Sequence, residues 1–180
     1  MAKATILNVI GLMLCCAFAG CSTAPRSEGG QQDLIIQADS TLQRFRASDP
    51  SLADRIAEAH GYAVFPSIGK GGAGVGGAFG RGVVYEQGEI VGFATMTQAS
   101  FGLQLGGQFY SELLLFDAPA LERFKRGEFS LGAQASAVAA TAGAAANARF
   151  QNGVMIFTLG QKGLMYEASV GGQKFSFQPM

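Results

Sequence analysis

Few residues of this chain have the chemistry to act on a substrate, and their spacing narrows the choice. Three cysteines occur, Cys15, Cys16 and Cys21, all within the first 21 residues. His60 is the only histidine. A zinc site of the usual Cys/His kind needs four such ligands, so none is expected. Beyond Cys21 there is no thiol to act as a nucleophile and no disulfide to staple the fold. His60 falls at a predicted helix end, where partial positive charge is favourable. Catalysis there would need a serine or an acid brought close in space. The 13 carboxylates fall mostly on predicted helix faces and turns. Glu86 and Glu89 flank one turn as solvated charges. A glycosidase-like pair would depend on a spatial pairing that spacing does not display. No enzyme activity and no cofactor are expected.

The glycine-rich run Gly69-Lys70-Gly71-Gly72-Ala73-Gly74 satisfies G-x-G-x-x-G, and Glu89 follows at the distance of a ribose-binding acid. That fingerprint must open a helix inside a parallel βαβ unit. Here β-like residues and a hairpin signal at Gln87-Gly88 follow instead. In a chain with 26 glycines the match carries little weight. Lys70 precedes the glycines, so the run is no Walker motif.

The basic residues are scattered. Thirteen Lys and Arg balance thirteen Asp and Glu, which excludes a strongly basic nucleic-acid binder. Arg44 and Arg46 flank Phe45 and read in two ways. They make a small site for anionic headgroups with an apolar wedge, or they end a solvated helix with Phe45 in the core.

The N-terminus carries an export pattern. Lys3 precedes an apolar run from Ile6 to Ala19, too short to span a bilayer and suited to a signal h-region. The run ends Ala17-Phe18-Ala19-Gly20-Cys21, which resembles a bacterial lipobox. Cleavage before Cys21 and lipidation of that residue are expected, with residues 1–20 as signal peptide. Ser22, where an Asp would retain the protein at the inner membrane, fits sorting to the outer membrane on its periplasmic side. Residues 21–32 read as the lipidated cysteine and a polar tether. Its eleven residues from Ser22 to Gln32 have a root-mean-square reach of roughly 18 Å.

Residues 33–180 read as one domain. Leu34, Ile35, Ala38, Leu42 and Phe45 recur at helical spacing from Asp33 to Arg46. Asp49-Pro50 announces a second helix, with Leu52, Ile56 and Ala59 inward and Gly61 past its end. Short strands follow at Tyr62–Pro66, stopped by proline, then at Val83–Tyr85 and Glu89–Phe93 about Gln87-Gly88. Phe101–Leu105 and Phe109–Phe116 are further strands. Asp117 caps a short helix with Leu121 and Phe124 inward. The alanine-rich stretch 130–150 reads as a strand followed by a loop or short helix. Val154–Leu159 and Leu164–Val170 flank a turn at Gln161-Lys162-Gly163, and Gly171-Gly172 marks a last hairpin. The fold expected is α+β, with N-terminal helices, a mainly antiparallel sheet curled into a barrel or sandwich, and one inserted helix.

Several ordered blocks resemble the SYLF domain. They are Ala59-His60-Gly61-Tyr62-Ala63-Val64-Phe65-Pro66-Ser67-Ile68-Gly69-Lys70-Gly71-Gly72, the glycine-spaced strand from Gly74 to Val84, and Ser100-Phe101-Gly102-Leu103-Gln104-Leu105-Gly106-Gly107-Gln108. Phe129-Ser130-Leu131-Gly132, Lys162-Gly163-Leu164 and Ala168-Ser169-Val170 continue the order. The resemblance spans about Leu34 to Phe177. It implies lipid binding, notably of phosphoinositides in eukaryotic members, and actin binding in some yeast relatives. An exported chain meets no cytoplasmic actin, so the expected partner is an anionic membrane lipid. Arg44, Phe45, Arg46 and Lys70 are its candidate contacts, and Cys21 is the lipidation site. The competing reading is an envelope structural or protein-interaction lipoprotein whose only lipid is its own acyl anchor.

Overall fold

A computed structural model describes residues 25, 27–132 and 138–180. The signal segment, Cys21 and the alanine-rich residues 133–137 lie outside the described residues.

Helix α1 spans Glu28–Ser48. It begins before the expected Asp33, because Ser27 caps it by accepting a hydrogen bond from the Gly30 amide at 3.2 Å. Much of the expected tether is therefore helix. Leu34, Ala38, Thr41, Leu42 and Phe45 form its buried stripe. Helix α2 is Leu52–Glu58, and Pro50 lies in the turn before it. At that corner the Asp49 carboxylate accepts from the Ser51 hydroxyl at 2.6 Å and from the Gly143 and Ala145 amides at 3.0 and 2.7 Å. It thereby pins a 3₁₀ turn, Ala145–Asn147, beside the helical corner.

Three strands carry the sheet: β1, Gly61–Glu86; β2, Glu89–Phe116; and β5, Val154–Pro179. β1 pairs antiparallel with β2 along its whole length, and β2 pairs likewise with β5. The short strands β3 (Ser130–Leu131) and β4 (Val138–Ala139) border β5. The expected Gln87-Gly88 turn is present, with φ of 51° and 90°, the type I′ geometry that suits a two-residue hairpin.

The three-stranded ribbon then folds over on itself. At Gly74 the φ of +74° is open to glycine and strained for other residues. The two halves of β1 come back side by side. The Gln87 amide donates to the His60 carbonyl at 3.1 Å, and the rings of Tyr62 and Tyr85 stack at 4.6 Å. A Cβ on Gly82 would stand 2.7 Å from the Val64 carbonyl oxygen, so no larger residue fits there. Six strand segments result, curved into a half-barrel.

Three expected boundaries are corrected by this folding. Pro66 does not stop its strand. It sits at a register shift between Phe65 and Ile68, where a missing amide donor is tolerated. The turn expected at Gln161-Lys162-Gly163 reduces to a register irregularity opposite Phe109 and Tyr110. Gly171 and Gly172 pair with Ser100 and Ala99 inside a continuous ladder and make no hairpin.

Alternation along the strands divides the core into two layers. Tyr62, Val64, Tyr85, Leu113, Leu115 and Phe157 face α1 and α2. Ala63, Phe65, Leu114, Phe116 and Phe175 face the other way, against helix α3, Ala118–Lys125. As expected, Asp117 caps α3, accepting from the Ala120 amide at 2.8 Å, and Leu121 and Phe124 are buried. The rings of Phe65, Phe116, Phe124, Phe129 and Phe175 pack in tilted and edge-to-face pairs with centroids 5.0–5.8 Å apart. They form the centre of this layer.

Candidate membrane-contact site

The ribbon has two unlike ends. At its base, where β1 starts, Tyr62 to Phe65 are buried, and the 87–88 turn beside them is exposed. Its far end, about Gly74 and residues 101–109, projects beyond the helices. There Val75, Phe101, Leu105 and Phe109 are 62, 64, 70 and 54 % exposed. Such a grouping of large apolar side chains in water marks a contact surface.

Pairing assembles the group. Val75 lies opposite Phe101, and Ala73 opposite Leu105; directly opposed residues share a face. The Phe109 ring covers Gly69, so closely that a Cβ there would come 3.1 Å from it. Charge is absent from this end of both strands: β1 has none between Lys70 and Arg81, and β2 none between Glu89 and Glu112. Lys70, opposite Gln108, and Arg81, whose guanidinium lies 5.7 Å from the Phe79 ring centre, bound the uncharged stretch.

The other expected contacts lie elsewhere. Phe45 is wholly buried in the α1 layer, so it is a core residue and not an exposed wedge. Arg44 braces the sheet, with Nη2 donating to Thr41 Oγ1 at 3.0 Å and to Ser111 Oγ at 3.2 Å. Ser111 in turn donates to the Pro66 carbonyl at 2.7 Å. Arg46 stands at the base, in a cleft of about 610 Å³ with Ile56, His60, Tyr62 and Gln87. Its Nε is enclosed without a hydrogen-bond partner. Tyr62 and Lys70 are eight residues apart along β1, roughly 26 Å of strand. Arg44–Arg46 and Lys70 therefore do not form one site. The exposed end was missed because Phe101 and Leu105 read equally well as core; the uninterrupted absence of charge was the available signal.

Two acidic groups have unusual surroundings. His60 Nε2 lies 3.3 Å from Glu86, which also meets Lys125 at 3.1 Å; Lys125 reaches Glu122 at 2.7 Å. Glu86 is thus paired at the base and not a free turn charge. The hydrogen bond to Glu122 comes first among the causes that raise the Lys125 pKa. Glu112 is almost wholly buried on β2, and burial pushes its carboxyl up to about 7 against a hydrogen bond from Gln173. Gln173 Nε2 donates to its Oε2 at 3.2 Å, and Oε1 has no hydrogen-bond partner among the described residues. A perturbed carboxylate can mark an active site, but a group this enclosed meets no substrate. Among the described residues no cluster of three or more metal-ligating side chains occurs. No described helix is long and apolar enough to cross a membrane.

The molecule is thus an α+β half-barrel with a two-layered apolar core and an exposed apolar end. Residues 97–179 match the family model described as Ysc84, Las17-binding protein actin regulator. A curated protein, beta cell expansion factor A of Aeromonas veronii, is 29 % identical over 146 residues, covering 77 % of this chain and 53 % of its own length. The chain spans about half the length of that relative. With the ordered motifs, these matches bear out the resemblance to the SYLF domain.

Proposed function

We propose that this protein is an envelope lipoprotein, anchored through Cys21 at the periplasmic face of the outer membrane, whose SYLF domain binds membrane lipid from outside rather than in a cavity. The exposed apolar end of the ribbon, free of charge on β1 and β2, carries this reading. The close packing of the Phe65, Phe116, Phe124 and Phe175 rings between the sheet and helix α3 supports it. A lipid anchor holds the domain at high local concentration over a bilayer, so weak intrinsic affinity suffices. Anionic headgroups enter through Lys70, the cation at the edge of the apolar end.

The test is co-flotation of the chain from residue 21, carrying Cys21→Ser, with vesicles of phosphatidylethanolamine alone or mixed with phosphatidylglycerol. Binding without the acyl chain, stronger on the anionic mixture, is the expected result. If neither vesicle is bound and crosslinking in cells captures a specific envelope protein, the protein-interaction reading replaces it.

A further inference from the structure

We infer that the folded end of the β1–β2–β5 ribbon enters the hydrocarbon of the leaflet to which the N-terminal anchor belongs, as a wedge of paired strands. This rests on the lipid-binding reading and adds the depth of contact and the orientation of the domain.

Four observations carry it. The side chains that would enter, Val75, Phe101 and Leu105, are large, apolar and exposed, and exposed Phe109, opposite Gly69, lies level with Lys70 at the interface. The middle strand of the backbone that would enter is already paired on both sides. Gly71, Ala73 and Val75 lie in register with Gly107, Leu105 and Phe101, and Phe101 and Leu105 are in register with Val170 and Tyr166 on β5. Strand β2 is thus flanked on both sides, and peptide groups can leave water only when so satisfied. Lys70 stands where β1 leaves the apolar end, and a long cationic side chain of this kind holds its head at the interface; Arg81, beside Pro66 and Ser67, lies farther out. From Lys70 to Gly74 is four residues, roughly 13 Å of strand. That is close to the thickness of one leaflet's hydrocarbon, about 15 Å, so the end reaches into a leaflet and does not cross the bilayer. One acid, Glu167, is in register there, opposite Gln104 on the outer strand β5.

The orientation follows from where α1 begins. Pro25, Gly30 and Asp33 line one groove with Pro66, Ser67, Phe79 and Arg81. The chain therefore joins the domain beside Arg81, on the flank of the apolar end and away from the base. Cys21 precedes Pro25 by four residues, a span of at most about 14 Å. An acyl chain on Cys21 and the end of the ribbon thus reach the same leaflet.

The chain contains no tryptophan, so a single introduced indole reports its own depth. Phe101→Trp and Leu105→Trp are placed at the apolar end and Glu89→Trp at the base turn, each in the chain from residue 21 with Cys21→Ser. Vesicles of phosphatidylethanolamine and phosphatidylglycerol carry brominated acyl chains. The expected result is a blue shift and strong quenching for both indoles at the apolar end, and neither for Glu89→Trp. Phe101→Ser combined with Leu105→Ser should lower vesicle partitioning at least about tenfold, with the melting temperature unchanged because both side chains are already in water. Wild-type flotation with an unquenched Trp at both end positions overturns the insertion and leaves lipid binding standing. Absence of flotation by the otherwise unaltered Cys21→Ser chain overturns both.

Discussion

Glu112 is a carboxylate that the fold holds against its own preference. It sits between Ser111, which ties to Pro66, and the apolar run Leu113 to Phe116. Its only protein partner in the described structure is the Gln173 amide, and one oxygen is left unsatisfied. Burial raises its carboxyl from 4.5 to about 7, so the folded state holds a proton that the unfolded chain releases near 4.5. Stability from this group is complete below that ordinary value and is lost as pH rises through 7. The raised pKa corresponds to about 3 kcal/mol, so urea denaturation should show the domain less stable at pH 8 than at pH 5 by an amount of that order. Asp49 has the opposite sign. Burial alone would raise its pKa, but hydrogen bonds from Ser51, Ala145 and Gly143 outweigh it and hold the carboxyl low. Its contribution is lost only as pH falls below the ordinary carboxylate range, outside that window. Glu112→Gln should flatten the dependence between pH 5 and 8 and stabilise the domain at pH 8. An unchanged slope in that variant would assign the titration to another group.

At the scale of elements, Asp49 joins parts far apart in the chain. It ends the α1 corner, orders the turn into α2 and holds the amides of Gly143 and Ala145. Asp49→Ala leaves those two amides without their acceptor, at about 1–3 kcal/mol each, and should lower the melting temperature more than any exposed-end variant. Asp49→Asn should recover part of the loss, since its amide oxygen still accepts. The sequence announced Asp49 as a helix cap, and its local role was legible from Asp49-Pro50. Its grip on residues 143–145 was not, because nothing local signals a contact almost a hundred positions away. The strands show the same division. Alternation placed Val83–Tyr85, Glu89–Phe93 and Phe109–Phe116 correctly, and Gln87-Gly88 specified its turn. Pro66, Gly171 and Gly172 were misread as ends, because such residues break a strand only where the neighbouring ladder cannot absorb them. Here β2 pairs through all three regions, and the reversal falls instead at Gly74, one glycine among many. The candidate site was legible only in Lys70; Phe45 has helical spacing whether it faces a core or a membrane.

For the whole molecule, the separation of its two ends decides which charges meet a membrane. With Lys70 at the interface, Arg44, tied to Ser111 near Pro66, lies about four strand residues farther out, roughly 13 Å, level with Arg81, which lines a groove with Pro66 and Ser67. Arg46, beside Tyr62, lies roughly 26 Å out along the same strand. Both distances exceed the screening length of about 8 Å at physiological ionic strength. A cation at an anionic surface contributes about 1 kcal/mol. One at the interface therefore contributes a factor of about five, while those beyond the screening length contribute little. Lys70→Gln should accordingly lower affinity for phosphatidylglycerol vesicles about fivefold at low salt, with the loss shrinking as salt is added. Arg44→Gln with Arg46→Gln should leave vesicle affinity near wild type at every salt concentration, whatever its effect on stability. Titrations of the two variants against the same vesicles decide the orientation. A larger loss from the Arg44 and Arg46 pair would put the base of the half-barrel against the bilayer and turn the apolar end away from it, free for a protein partner.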